Sequence, residues 1–311
     1  MTRRQGILVG LVLDAAKTAD PRRIGSQVQA AERHGLGFLL FDDGPGEPAG
    51  RGYPDPVEVA SFASATTRAI GLVVTAAATH AEPFHLSNRF SSLDWGSSGR
   101  AGWLVTVDAS TARAAAYSAS PPDAATAPRE AGAVVDAARR LWDSWEDGAL
   151  IADSATGRFL DQEKLHYVDV HNEFFRIRGP ALLPRPKQGQ LPVFARARDH
   201  LAQADVVLVD GWPGGAVGEH DAHRTFAEVA VTPATDFGPL LRGLSGRADG
   251  VLLRAGDTDA VLEELGRRVL PELIADRTVL PPRPGETLRE QLGLPRPVSR
   301  YATIAGKGAQ A

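Results

Sequence analysis

A parallel (β/α)8 barrel of the α/β class is the fold this sequence predicts, on three observations. Eight short apolar runs punctuate the chain, most of them continuous, as strands covered on both faces read. Amphipathic segments separate most of these runs, which implies crossover helices between parallel strands. Aspartates follow several of the runs, where a barrel carries its chemistry. A doubly wound open sheet is the competing architecture.

The first run, 7–13 (ILVGLVL), is bounded by Asp14. Asp20 is placed to cap the free N–H groups of a helix, and Pro21 suits its first position. Ile24, Val28 and Ala31 recur at helical spacing, and Gly35 stops the helix. The second run, 38–41 (FLLF), ends at Asp42-Asp43, and a Gly/Pro loop runs on to Pro56. A helix at 56–67 leads to the third run, 70–76 (IGLVVTA), and a helix at 83–94 to the fourth, 101–107 (AGWLVTV). A helix at about 129–146 follows an Ala/Pro/Ser stretch.

The rhythm then breaks. HYVDVHNEFFRIRGP alternates polar and apolar residues, with a turn near His171-Asn172, and predicts a β-hairpin within an excursion over 150–190. The barrel pattern resumes at 192–195, 205–209, 228–232 and 250–254, and a helix at 257–270 closes it. The fifth-to-sixth connection, 196–204, falls below the ~10–12 residues of a full crossover, so a shortened helix is expected there. The plan is one barrel domain over 1–275 and a Pro-rich tail over 276–311, with a short helix at 286–292.

Composition narrows the function classes. A hydrophobic fraction of 43% and a charged fraction of 23% are those of a soluble globular protein. The net charge of −4 provides no basic field for nucleic acid. No stretch approaches the ~18 apolar residues of a membrane span, and the N-terminus lacks a signal-peptide pattern, so a cytoplasmic location is expected. Zero cysteines exclude disulfides and thiolate chemistry.

Four ordered blocks carry a resemblance. They are AEPFHLSNRFSSLDWGSSGRAGW (81–103), LWDSWEDGA (141–149), DQEKLHYVDVHNEFFRIRGPALLPRPKQGQLPVF (161–194) and TLREQLGLPRP (287–297). Together they resemble the bacterial-luciferase-like flavin-dependent monooxygenases, in the branch of nitrilotriacetate monooxygenase component A and dibenzothiophene sulfone monooxygenase. The resemblance implies a (β/α)8 fold. It also implies reduced FMN from a separate flavin reductase, O2, a small organic substrate, and a homodimer or a dimer with a related subunit. Most residues within the blocks have structural readings: Arg100 capping carbonyls near strand four, Trp142 and Trp145 in the core, and His166 and His171 as framework.

The same resemblance tests the flavin site position by position. Asp43 matches the family's acidic residue near the flavin ring. At the end of strand three Ala77 and Ala78 stand where the family offers a hydroxyl, with Thr79 adjacent. In strand four Leu104 replaces an Asn, while Thr106 keeps a later hydroxyl. The family's Tyr and His ahead of the LWDSW helix correspond to Pro128 and Ala124. The Gly/Ser-rich turn that opens a phosphate-binding helix after strand five is replaced by FARARDHLAQADVV. Arg196, Arg198 and Arg254 are the basic side chains near that end, where arginine can bind phosphate bidentately; one of Arg196 and Arg198 is expected to face a ligand, and Arg198 is preferred. The expected cofactor-binding set is therefore Asp43, Thr79, Thr106, Arg198 and Arg254. Asp14, His80 and Asp210 complete a substrate pocket, and all eight are expected around one mouth.

Two functions follow: a divergent FMN-dependent monooxygenase with a degraded flavin site, or a catalytically silent paralogue that binds another small ligand or a partner subunit. A metal-dependent hydrolase built on Asp14, Asp43, Asp108 and Asp210 is weaker. The mouth offers only His80, and His220 and His223 read as a solvated helix face. No metal is expected. GWPGGAVG (211–218) lacks the Lys-Ser/Thr ending of a phosphate loop, and no nucleophile elbow is present.

Overall fold

The computed structural model describes residues 6–14, 20–42, 54–211 and 223–302. Eight parallel strands close into a barrel: β1 (Leu8–Asp14), β2 (Phe38–Asp42), β3 (Gly71–Ala77), β4 (Ala101–Thr106), β9 (Val193–Arg196), β10 (Val206–Asp210), β11 (Arg224–Val231) and β12 (Gly250–Ala255). They pair in chain order, and β12 returns to β1 with Leu8 opposite Gly250. Closure leaves no open sheet edge, and the doubly wound alternative falls.

The helices start where the local chemistry says. In α1 (Pro21–His34) the Asp20 carboxylate accepts from the Arg22 N–H, and Gly35 ends the helix in the left-handed region at φ 84. α2 (Pro56–Ser64) and α3 (Pro83–Gly96) repeat the device, an acidic cap ahead of proline at the first position. α4 (Thr111–Ala116) and α5 (Thr126–Asp143) follow β4. α6 (Phe237–Leu244) precedes β12. The expected helix at 257–270 is in fact three pieces: α7 (Thr258–Glu264), a π turn over Leu265–Val269, and α8 (Leu270–Ala275). Pro271 has no N–H to donate back one turn, and the wide turn accommodates that loss.

The excursion holds two hairpins where the sequence suggested one. β5 (Leu150–Asp153) pairs with β6 (Arg158–Leu160), and β7 (Val170–His171) with β8 (Arg176–Ile177). The second turns on Asn172, whose side-chain oxygen accepts from the N–H groups of Phe174 and Phe175. Between β9 and β10 the crossover is reduced to one 3-10 turn, Ala197–Asp199.

Two apolar layers hold the barrel. Outward strand faces pack on the helices, with Trp103, Phe90 and Trp142 fully buried among them. Inside, Phe38, Phe194 and Phe226 meet at ring-centroid distances of 5.8 to 6.3 Å. Gly10 makes room for this triad, since a Cβ there would lie 2.2 Å from the Phe38 ring. The tail closes the floor: α9 (Leu288–Gln291), fastened by a Thr287/Glu290 capping box, sends Leu288 into the interior cluster with Leu292 and Leu294. Arg100 acts as its reading implies, donating to the carbonyls of Ser64, Thr67, Ile70 and Ser97. Trp142, in α5, donates to Ser87 O of α3, whereas Trp145 lies past the end of α5 and donates to Ala181 O. Among the described residues, no helix is long and apolar enough to cross a membrane.

Candidate functional site at the barrel mouth

Strand alternation decides which side chains enter the barrel. Phe38, Leu40, Phe194, Val206, Leu208, Phe226 and Leu252 belong to the interior cluster. Counting on by twos toward the carboxyl ends brings Asp42, Arg196, Asp210, Glu228 and Arg254 to the inner face. On the other wall the register carries Thr75, Ala77 and Thr106 inward, with Ala77 opposite Thr106. Asp14 stands opposite Asp42.

Four of these side chains form a continuous ion-pair chain across the mouth. Arg196 Nε donates to Glu228 Oε2 at 2.9 Å, and Arg254 Nη2 to Glu228 Oε1 at 2.8 Å. Arg254 Nη1 then reaches Asp42 Oδ2 at 3.0 Å. Arg196, Glu228 and Asp42 are about nine-tenths buried at their side chains, while Arg254 is 36% exposed and faces the opening. Burial opposes the Glu228 charge, but the hydrogen bonds and fields of Arg196 and then Arg254 outweigh it and hold the carboxyl below its ordinary range. The quartet carries two guanidiniums and two carboxylates, so it is neutral as a unit.

The remaining expected site residues are disposed differently. The Thr79 hydroxyl donates to Asp108 O at 2.8 Å and accepts from the Asp108 N–H at 3.1 Å, so it ties the ends of β3 and β4 together. His80 adopts a left-handed backbone at φ 59 and gives its N–H to Glu130, from a neighbouring helix. Its ring stacks on Tyr117, and Nε2 is buried with no partner among the described residues. Strain of this kind in a non-glycine residue is found at ligand sites. Arg198 sits on the turn after β9 and pairs with Asp210 at 2.8 Å, both more than half exposed. Asp43 and His220, and GWPGGAVG beyond Gly211, lie outside the described residues. His223 leads directly into β11, not into a helix. Among the described residues no group of three or more His, Asp or Glu side chains is arranged to hold a metal.

Asp42, Thr75, Arg196 and Glu228 are the inward polar residues that the sequence reading passed over. Parity was the available signal for β2, where counting from Phe38 selects Asp42 over Asp43; Arg196 and Arg198 share the parity of Phe194, but β9 ends at Arg196 and the 3-10 turn carries Arg198 out to Asp210.

The residues present do not fit an FMN phosphate where the resemblance would place it. The segment after β9 is a 3-10 turn ended by His200 in the left-handed region at φ 49, and no α-helix with free N–H groups follows. Arg198 there is neutralised by Asp210. Two surface recesses, of about 290 Å³ beside Asp147, Arg185 and Arg296 and about 350 Å³ between α1 and α7, involve no barrel-strand residue.

Residues 6–233 match the family described as Luciferase-like monooxygenase. The chain is 30% identical over 298 residues to one of the subunits of pristinamycin IIA synthase of Streptomyces pristinaespiralis, covering 95% of this chain and 97% of that protein. It is 38% identical over 144 residues to N-acetyl-S-(2-succino)cysteine monooxygenase of Bacillus subtilis (strain 168). That match spans 46% of this chain but only 32% of the longer relative. In structure it resembles riboflavin lyase, crystallised with modified FMN and its substrate riboflavin, at a TM-score of 0.77 over 98% of this chain and 100% of that one. Identity there is 19%, and the likeness is one of fold.

Proposed function

The chain belongs to the luciferase-like monooxygenase family, and within it we propose that it serves the oxidation of a small organic substrate by O2 and reduced FMN while itself holding FMN weakly. One observation carries this reading: the mouth arginines Arg196, Arg198 and Arg254 are each already bonded to a carboxylate. Hydrogen bonds to a charged group are worth roughly 1.5–3 kcal/mol each, so losing several at the phosphate lowers affinity by orders of magnitude. The quartet of Asp42, Arg196, Glu228 and Arg254 would orient a ligand from one side of the mouth and keep water from the barrel interior. Reduced flavin would come from a separate reductase, in the cytoplasm.

A second reading has its own support. Full-length likeness to a protein named as a synthase subunit favours a silent member that pairs with a related, flavin-holding subunit. Fold membership alone does not decide between the two.

Titrating the purified chain with oxidised and with reduced FMN, with its mass followed by light scattering, tests both. Weak saturable binding supports the first reading. No saturable binding of either redox form removes it and leaves the paired-subunit reading. Tight binding with a shifted flavin spectrum removes the weakened site altogether.

A further inference from the structure

We infer that the barrel mouth discriminates against a phosphate-bearing flavin and takes the phosphate-free form, riboflavin, in preference to FMN. The inference rests on the reading that the mouth still receives a ligand of the family's kind. The phosphate end and the ring end of such a ligand meet different chemistry in this barrel.

At the phosphate end, the single turn Ala197–Asp199 offers no helix N-terminus. Arg198, the cation on that turn, is bound to Asp210 at 2.8 Å. Asp199 adds a second carboxyl, pushed above its ordinary range first by burial and then by Asp210, against the opposing pull of Arg198 and Arg196. A dianion arriving there meets one neutralised guanidinium and two carboxyls, and among the described residues that turn supplies no further cation to pair it.

At the ring end, hydrogen-bonding groups remain without a net charge to balance. Arg196 uses Nε and Nη2 on Glu228, and its Nη1 has no protein partner among the described residues. Thr106 faces inward on the strand beside it, and the Thr75 hydroxyl is buried with no partner among those residues. Ala77, between these threonines on the same wall, leaves that side of the mouth lined by small side chains. An uncharged heterocycle with donors and acceptors can use Arg196 and Thr106, with the buried Thr75 hydroxyl one layer below them, and it gains nothing from the charges that would repel a phosphate.

The test is a fluorescence titration of the whole chain with riboflavin and with FMN, as wild type and as Asp210→Asn. Asp210 is 64% exposed at its side chain, so the variant is expected to fold. Wild type should bind riboflavin several-fold more tightly than FMN. Releasing Arg198 should then tighten FMN by about tenfold and move riboflavin by less than about twofold. FMN binding more tightly than riboflavin to the wild type overturns this inference and leaves the flavin reading standing. An unchanged FMN-to-riboflavin ratio in Asp210→Asn overturns the electrostatic cause, the pairing of Arg198 with Asp210. Failure of both ligands to saturate the protein overturns the inference together with the ligand-binding reading.

Discussion

Glu228 is the residue on which the mouth turns, because both inner arginines end on its carboxylate. Glu228→Gln keeps the volume and one acceptor oxygen but leaves Arg254 with Asp42 and takes the carboxylate partner from Arg196. Removing one member of a buried pair costs about 3–5 kcal/mol, and the conservative amide should fall near the lower end. The freed positive charge should also attract anions, so added phosphate should raise the variant's melting temperature more than the wild type's. Thermal melts with and without phosphate check this. An equal phosphate response from both proteins would mean that the guanidiniums are out of reach. Thr75 is the opposite case, a buried hydroxyl without a partner among the described residues. Thr75→Val replaces it with a methyl of the same shape, and stability should be unchanged or rise by about 1 kcal/mol. A clear loss in a urea melt would mean that the hydroxyl is satisfied, for instance by an ordered water.

Elements were far more legible in the sequence than faces were. Strands covered on both sides read as uninterrupted apolar runs, which is why all eight could be located. The same continuity erases the alternation that would say which residues point inward. Asp42 and Asp43 have equal claims until the Phe38–Phe194–Phe226 contact fixes the parity of β2 and β9. Glu228 was hidden because β11 begins at Arg224, whose polar side chain donates to the carbonyls of Leu292 and Gly293 in the tail. A run of apolar letters cannot show a strand start held by side-chain bonds to a distant segment. The seat of the tail on the barrel floor can be tested. A Cβ at Gly102 would lie 2.8 Å from Leu288 Cδ2 and 3.2 Å from Phe194. Gly102→Ala should therefore cost about 1–3 kcal/mol by overpacking, and Leu288→Ala about 2–5 kcal/mol by leaving a cavity. Combined, the two should cost less than their sum by more than about 0.5 kcal/mol, because the smaller side chain leaves room for the added methyl. Strict additivity in denaturant melts would show that α9 does not seat on the barrel floor in solution.

At the scale of the whole molecule, one buried carboxyl links a barrel helix to the tail. Asp94, on α3, is fully buried; its Oδ1 accepts from Gln188 Nε2 at 2.6 Å, and Oδ2 has no partner among the described residues. Gln188 in turn accepts from the Arg289 N–H of α9. Burial outweighs the hydrogen bonds from Gln188 and the neighbouring backbone and pushes the Asp94 carboxyl up to about 6. A carboxyl whose folded value lies above its unfolded value of about 3.8 holds its proton more tightly when folded. Its contribution to stability is thus fully present below about pH 4 and is lost as pH rises through about 6, a span worth about 3 kcal/mol. Glu228, Asp108 and Asp147 are held below their ordinary range and act with the opposite sign, losing stability as pH falls. The total profile mixes both kinds, so the comparison must be with Asp94→Asn, which removes only this titration. The unfolding free energy of wild type minus that of the variant should be nearly flat above about pH 6.5 and grow by about 2 kcal/mol on going down to about pH 4. Urea melts across that range measure it directly. A difference independent of pH would mean that Asp94 titrates alike in the folded and unfolded chain, and hence that the α3–Gln188–α9 junction is open to water.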